Sequence, residues 1–326
     1  MAGADDTAAN VHAAHAGHGP MIDRARLAEP AAGAPNERIR AAAAAAEPSD
    51  IGAFRTICAY SHMAFDDPIV YPGEPGKSHL HVFFGNTGTN AYSTATSLAK
   101  SGNSTCLGGI ANRSAYWVPA TIDTRTGTPL VPGNANLYYK NGYNGIGPSQ
   151  VRPLPAGLRM IAGDATNSTD VWKNGKEKWH GSPYQFKCIG NIPDYMASQE
   201  IPNCPVGTSL WEVVTFPQCW DGRRLDSPDH KSHMSYAVNR RCPDTHPVPV
   251  PEITFNIIYP VREKDATLHW RLASDMYDPS LPGGRSMHAD WFDGWSQPVK
   301  EAWVKGCNQA QRDCHSFLLG DGRELY

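Results

Sequence analysis

Eight cysteines constrain this chain more than any other feature: Cys58, Cys106, Cys188, Cys204, Cys219, Cys242, Cys307 and Cys314. None stands in a Cys-x-x-Cys spacing, which argues against a thiolate zinc ribbon. The 326-residue chain carries 30 Gly and 27 Pro but only 19% charged residues. An even cysteine count on that background reads as a disulfide framework made in an oxidising compartment, so we expect a secreted, extracellular protein. Eight cysteines allow about 105 pairings, which sequence leaves open. Our expectation is that sequence neighbours pair: Cys58–Cys106, Cys188–Cys204, Cys219–Cys242 and Cys307–Cys314.

Between the cysteines lie many short apolar runs set off by turn residues. They are Phe54 to Tyr60, Ser78 to Gly85, Ser114 to Ile122, Asn136 to Lys140, Leu158 to Gly163, Gln185 to Cys188, Leu210 to Phe216, Ile253 to Tyr259 and Thr267 to Leu272. Each is strand-length and several alternate apolar with polar positions. The expected fold is all-β, a jelly-roll-like β-sandwich with long loops and few short helices. One of those loops is residues 86–114, and the clearest late helix is Pro298 to Gly306. A single β-rich domain is expected over 51–326. Residues 1–50 form an Ala/His-rich extension, flexible or helical, with a candidate helix from Asn36 to Glu47 and histidines at His12, His15 and His18.

No apolar run approaches the ~20 residues of a membrane span. Met1 to Asp6 lacks the basic start and apolar centre of a leader, and we expect a leader to have been removed. Lys plus Arg number 29 against 32 Asp plus Glu, a net charge of −3, which gives no footing for a nucleic-acid partner.

The Ser78–Gly85 run also carries candidate chemistry. Side chains on a strand alternate faces, so His79, His81 and Phe83 share one face and Leu80, Val82 and Phe84 the other. Paired imidazoles on one strand face suit a metal ion or a proton-transfer pair, and equally suit hydrogen-bonded structural histidines. In Ser286–Phe292, His288 and Asp290 share a face opposite Met287, Ala289 and Trp291. The loop from Trp220 to His233 gathers Asp221, Arg224, Asp226, Asp229, His230 and His233, charges that are costly to bury unless paired or bound. Tyr277 is a further acid or stacking candidate.

These segments resemble a known family. Asp67-Pro68-Ile69-Val70 through Ser78-His79-Leu80-His81 and Phe83-Phe84-Gly85 is similar to the opening signature of a secreted fungal and actinobacterial family. That family is the domain of unknown function numbered nineteen-ninety-six. Cys219-Trp220-Asp221-Gly222, Leu225-Asp226-Ser227-Pro228-Asp229-His230 and Ser232-His233 resemble its central signature. Pro243 to Pro247 and His288-Ala289-Asp290-Trp291-Phe292 resemble its later ones. The resemblance covers roughly residues 54–307. Because such domains often stand beside wall- or carbohydrate-binding modules, it implies a polysaccharide or cell-wall glycan as partner.

Three readings follow. The first is a secreted carbohydrate-active enzyme, hydrolase or lyase, with catalytic candidates His79, His81, Asp229, His230, His233, Tyr277, His288 and Asp290. In it Trp220, Asp221, Arg224, Asp226 and Trp291 hold the sugar. The second is a metalloprotein, with His79, His81, His233 and His288 as ligands to copper or zinc, and Asp290 or Asp229 orienting them. The third is a non-catalytic wall- or glycan-binding module. If His79, His81, His233 and His288 converge, a shared site is favoured over independent structural histidines.

Overall fold

The computed structural model describes residues 19–141, 146–168, 182–191, 196–315 and 317–326. The fold is β-rich and sandwich-like, built on two large sheets. One has five antiparallel strands in the order Arg159–Gly163, His288–Phe292, Ala115–Pro119, His81–Gly85, Tyr60–Ala64. The other has eight: Met196–Ser198, Tyr184–Ile189, Ser209–Thr215, Glu252–Pro260, Asn134–Lys140, Ala53–Cys58, Arg312–Cys314 and Glu47–Pro48.

Burial along these strands explains their arrangement. In Ala53–Cys58 and Tyr184–Ile189 every second residue is buried, and in Asn134–Lys140 the same alternation holds up to Tyr139, as expected where one sheet face meets the core. In His81–Gly85, Ala115–Pro119 and His288–Phe292 all five residues are buried, so the five-stranded sheet is covered on both faces. Val82, Phe84, Tyr116, Val118, Ala289 and Trp291 join the main core between the sheets. There Tyr116 stands edge-on to Phe255, with centroids 5.5 Å apart, and shares a 2.7 Å hydroxyl hydrogen bond with Tyr139. On the outer face Phe83, Ala115, Trp117 and Phe292 form a second, smaller cluster with Ile69 and Leu98. Ile69 comes from the extended segment that the prolines punctuate. Leu98 comes from helix Ala95–Lys100, which lies within residues read from sequence as loop and is closed by a Thr94–Ser97 capping box.

All four expected disulfides form: Cys58–Cys106, Cys188–Cys204, Cys219–Cys242 and Cys307–Cys314. The late helix is present as Gln297–Trp303 and continues into a wider turn through Gln309.

The N-terminal stretch differs from expectation. Asn36 to Glu47 contains no helix. Ile39–Ala41 pairs with Arg323–Leu325, and Glu47–Pro48 pairs with Arg312–Cys314. An isolated helix this short is marginal, and the C-terminal strands offer backbone partners that a helix would forgo. Upstream, the Ala31 amide donates to the Ser61 carbonyl (2.7 Å), the Tyr60 hydroxyl donates to Ala28 (3.0 Å), and the Arg24 guanidinium covers Phe65 (4.1 Å). Residues 19–50 therefore form a strap bound along the domain. His12, His15 and His18 lie outside the described residues.

Candidate metal centre

The centre lies on the outer face of the five-stranded sheet, under the Asp66–Val70 segment. His81 opens its strand opposite Pro119, and Asp290 stands opposite Trp117. Continuing that register sets His288 on the other flank of Pro119. Residues two apart share a face, so His81 and His288 project together across the short proline side chain. His79 precedes the hydrogen-bonded strand, which begins at His81. Its ring still packs against both others, at centroid distances of 4.2 Å from His81 and 4.9 Å from His288.

Hydrogen bonding fixes the tautomers of two of these rings. His81 Nδ1 lies 3.0 Å from the Asp66 carbonyl oxygen, and His288 Nδ1 lies 2.8 Å from that of Ser286. A carbonyl only accepts, so each Nδ1 carries the proton and each neutral ring presents a bare Nε2 lone pair. Those Nε2 atoms face each other at 3.5 Å, and His79 Nε2 lies 3.2 Å from His288 Nε2. Burial lowers the His81 pKa to about 4. Burial and the neighbouring His81 lower that of His288 to about 3. Both rings are neutral at physiological pH.

Two carboxylates complete the group. Asp290 Oδ2 stands 4.0 Å from His288 Nε2, and both Asp290 oxygens are buried with no hydrogen-bond partner among the described residues. Asp67 Oδ1 accepts the amides of Ile69 and Val70, both at 2.9 Å. Burial pushes both acids above the usual carboxylate range. Among the described residues no Lys or Arg forms an ion pair with either. Lone pairs converging on one point beside buried, unmatched carboxylates call for a cation.

The spacing fits one. Metal–nitrogen bonds of about 2.0–2.1 Å at tetrahedral angles put ligand nitrogens about 3.3–3.4 Å apart, between the observed separations of 3.2 and 3.5 Å. His79, His81 and His288 form one potential ligand group, and Asp67, His81 and Asp290 form another that shares His81.

Both orienting carbonyls are themselves held in place. The Asp66 carboxylate accepts the amides of Gly76 (2.9 Å) and Ala91 (3.1 Å). The buried Asp275 carboxylate accepts the Ser286 hydroxyl (2.6 Å) and the amides of Leu272 and Gly284 (both 2.8 Å). Asp66, Asp67, Asp275 and Ser286 escaped sequence reasoning as site residues. Only the Asp67-Pro68 motif carried a signal; the others act through partners distant in sequence.

The remaining sequence candidates stand elsewhere. His233 does not join the histidines: its Nε2 accompanies the Arg159 carbonyl (2.7 Å) and its Nδ1 the Ser227 hydroxyl (2.9 Å), so both ring nitrogens are engaged. Arg159 is at the far end of the strand whose Gly163 pairs with His288, roughly 13 Å away. Asp229 takes the Ser227 hydroxyl and the Ser232 amide, which hold its carboxyl below the usual range as a turn-stabilising acid. Asp221 binds the amides of Arg223 and Arg224 and the Arg224 guanidinium, while the Trp220 indole donates to the Arg224 carbonyl. Trp291 is fully buried in the main core. The Tyr277 hydroxyl donates to Pro282 (2.9 Å), and its ring lines a cavity that also contains His79.

Asp226 and His230 do form a unit. Asp226 joins Arg159 (3.0 Å) to His230 Nδ1 (3.0 Å), and that hydrogen bond raises the His230 pKa. The neighbouring Lys231 donates to the Gly163 carbonyl (2.8 Å), which brings this loop to the His288 end of the sheet.

No curated protein and no solved structure matches the chain. A family model described as a domain of unknown function, DUF1996, matches residues 67–295, from the Asp67 ligand candidate to just past the His288–Phe292 strand. With most of its length matched, and every member of the histidine and carboxylate cluster inside the matched span, the chain belongs to the DUF1996 family.

Proposed function

We propose that His79, His81 and His288, with Asp290 and Asp67, hold a divalent transition metal, and that the protein is a secreted metal-dependent enzyme cleaving a polysaccharide or cell-wall glycan. The observation that carries this reading is the pair of tautomer-locked imidazoles whose Nε2 lone pairs converge within 3.5 Å beside an unpartnered buried carboxylate. Mixed imidazole and carboxylate donors suit zinc, whose chemistry is hydrolytic; cupric copper accepts the same donors and would bring redox chemistry instead. A bound zinc would supply Lewis-acid polarisation and a water acidified toward neutral pH.

The chain's own groups supply the rest. Asp290 and Asp67 balance the cation's charge, and the Asp66 and Ser286 carbonyls keep both imidazoles aimed. His230, with Nδ1 committed to Asp226, presents Nε2 for proton transfer from the adjoining loop. Four disulfides and the lack of any helix long and apolar enough to cross a membrane, among the described residues, are consistent with an extracellular setting.

The test is metal content, by inductively coupled plasma mass spectrometry, of protein made without an affinity tag and without residues 1–18. We expect one zinc per chain, lost in His81→Ala and His288→Ala, together with release of reducing ends from a glycan panel. A folded protein that cannot be loaded with zinc, cobalt or copper would overturn the reading.

A further inference from the structure

A cavity of about 330 Å³ opens beside His79. We propose that it is the saccharide-binding pocket of the metal centre, and that the N-terminal strap forms one of its walls. For its chemistry the proposal rests on the metal reading; for binding it stands on the cavity alone.

His79 belongs both to the three-imidazole cluster and to the cavity lining, so a ligand seated there meets a metal-ligand candidate directly. The volume lies at the small end of the range for ligand pockets, about 300–1,000 Å³, which suits one or two rings rather than a folded partner. Rings of Phe65, Tyr71 and Tyr277 contribute to the walls, interspersed with hydroxyl and amide side chains. Aromatic faces with scattered hydrogen-bonding groups match the alternating apolar faces and hydroxyl edges of a sugar. Among the described residues no Asp or Glu lines the cavity, and its one charged side chain, Lys77, pairs with Glu74. The lining therefore favours a neutral sugar. It also lacks the flanking carboxylate pair on which metal-free glycoside hydrolysis depends.

Pro20 and Ile22 of the strap close one side. They are fixed in place: the Asp23 amide donates to the Gly127 carbonyl (2.8 Å), and Arg24 covers Phe65. At Gly19 an added Cβ would lie 2.5 Å from Met276 Sδ, so the strap runs in close contact with that flexible side chain. The strap lies outside the residues that the family model matches and sets the shape of this pocket from outside that span.

The experiment is calorimetric binding of cellotetraose, xylotetraose, laminaritetraose and chitotetraose to the full metal-loaded chain. At least one should bind. Tyr71→Ala and the cavity-filling Ile22→Trp should each weaken it by about tenfold, with metal content and melting temperature retained. Tyr92→Ala, an exposed tyrosine outside the lining, should leave binding unchanged. Absence of binding by all four sugars, or binding indifferent to both pocket variants, overturns the proposal. Sugar binding that is lost in Tyr71→Ala, in a folded wild type that takes up no zinc, cobalt or copper, would sustain the pocket while defeating the metal reading.

Discussion

His81 and His288 point their Nε2 atoms at each other across 3.5 Å, and each has given its only ring proton to a backbone carbonyl at Nδ1. Neither ring can then donate to the other. The arrangement is unfavourable with nothing between the rings, and on the metal reading a cation placed there would stabilise the fold as well as serve the chemistry.

Asp290→Asn should act in opposite directions on the two forms. In metal-free protein it removes an acid whose ionised form is costly to bury, and should stabilise increasingly as pH rises. In metal-loaded protein it removes a ligand and should lower the melting temperature. Thermal unfolding with and without a chelator separates these; equal destabilisation in both forms would make Asp290 purely structural.

Stability of the metal-free protein should be limited on both sides of its pH range. His81 and His288 fall to about 4 and about 3 from a usual 6.5, so their contribution is complete above 6.5 and is lost as pH drops toward 4. Asp67 and Asp290 are raised, so their contribution is complete below the ordinary carboxylate range and is lost as pH rises through their folded values. Metal should remove the alkaline loss. Melting curves across this range, with and without zinc, check the sign of each arm.

Asp275→Asn should weaken metal binding by about 10–100-fold, the usual effect of losing a group that orients a ligand. Asp275 touches no ligand and works by fixing Ser286, whose carbonyl orients His288. A competition titration reads the affinity. Asp221→Asn, in a turn engaged with Arg224, is the control expected to leave it unchanged.

Unreduced, denatured protein should show no free thiols. Replacing Cys188 and Cys204 by Ser should cost about 3 kcal/mol for a loop of their 16-residue separation.

A chain begun at Ile51 should melt well below one begun at Gly19. The truncation deletes two strand pairings and the Tyr60, Ser61 and Phe65 contacts of the strap. Equal melting temperatures would show that the strap adds nothing to stability.

What sequence revealed about the site follows strand periodicity. The alternation that puts His79 beside His81, and His288 beside Asp290, is local and can be read without a structure. That the two pairs meet depends on the Ala115–Pro119 strand lying between them, a long-range pairing that no local pattern encodes. His233 was misplaced for the same reason: the Arg159 carbonyl and Ser227 hydroxyl that occupy it come together only in the fold. Residues 36–47 looked helical because Ala favours helices locally, whereas their partner, Arg323–Leu325, lies at the other end of the chain.

The separation of the ligands has a consequence for biosynthesis. His81 and His288 are 207 residues apart, so no nascent chain that ends before His288 holds more than two of the three imidazoles. On the metal reading, capture would be deferred until the last strand of the sheet is in place. The ion acquired would then be the one offered where folding finishes, whichever ions the chain met during synthesis.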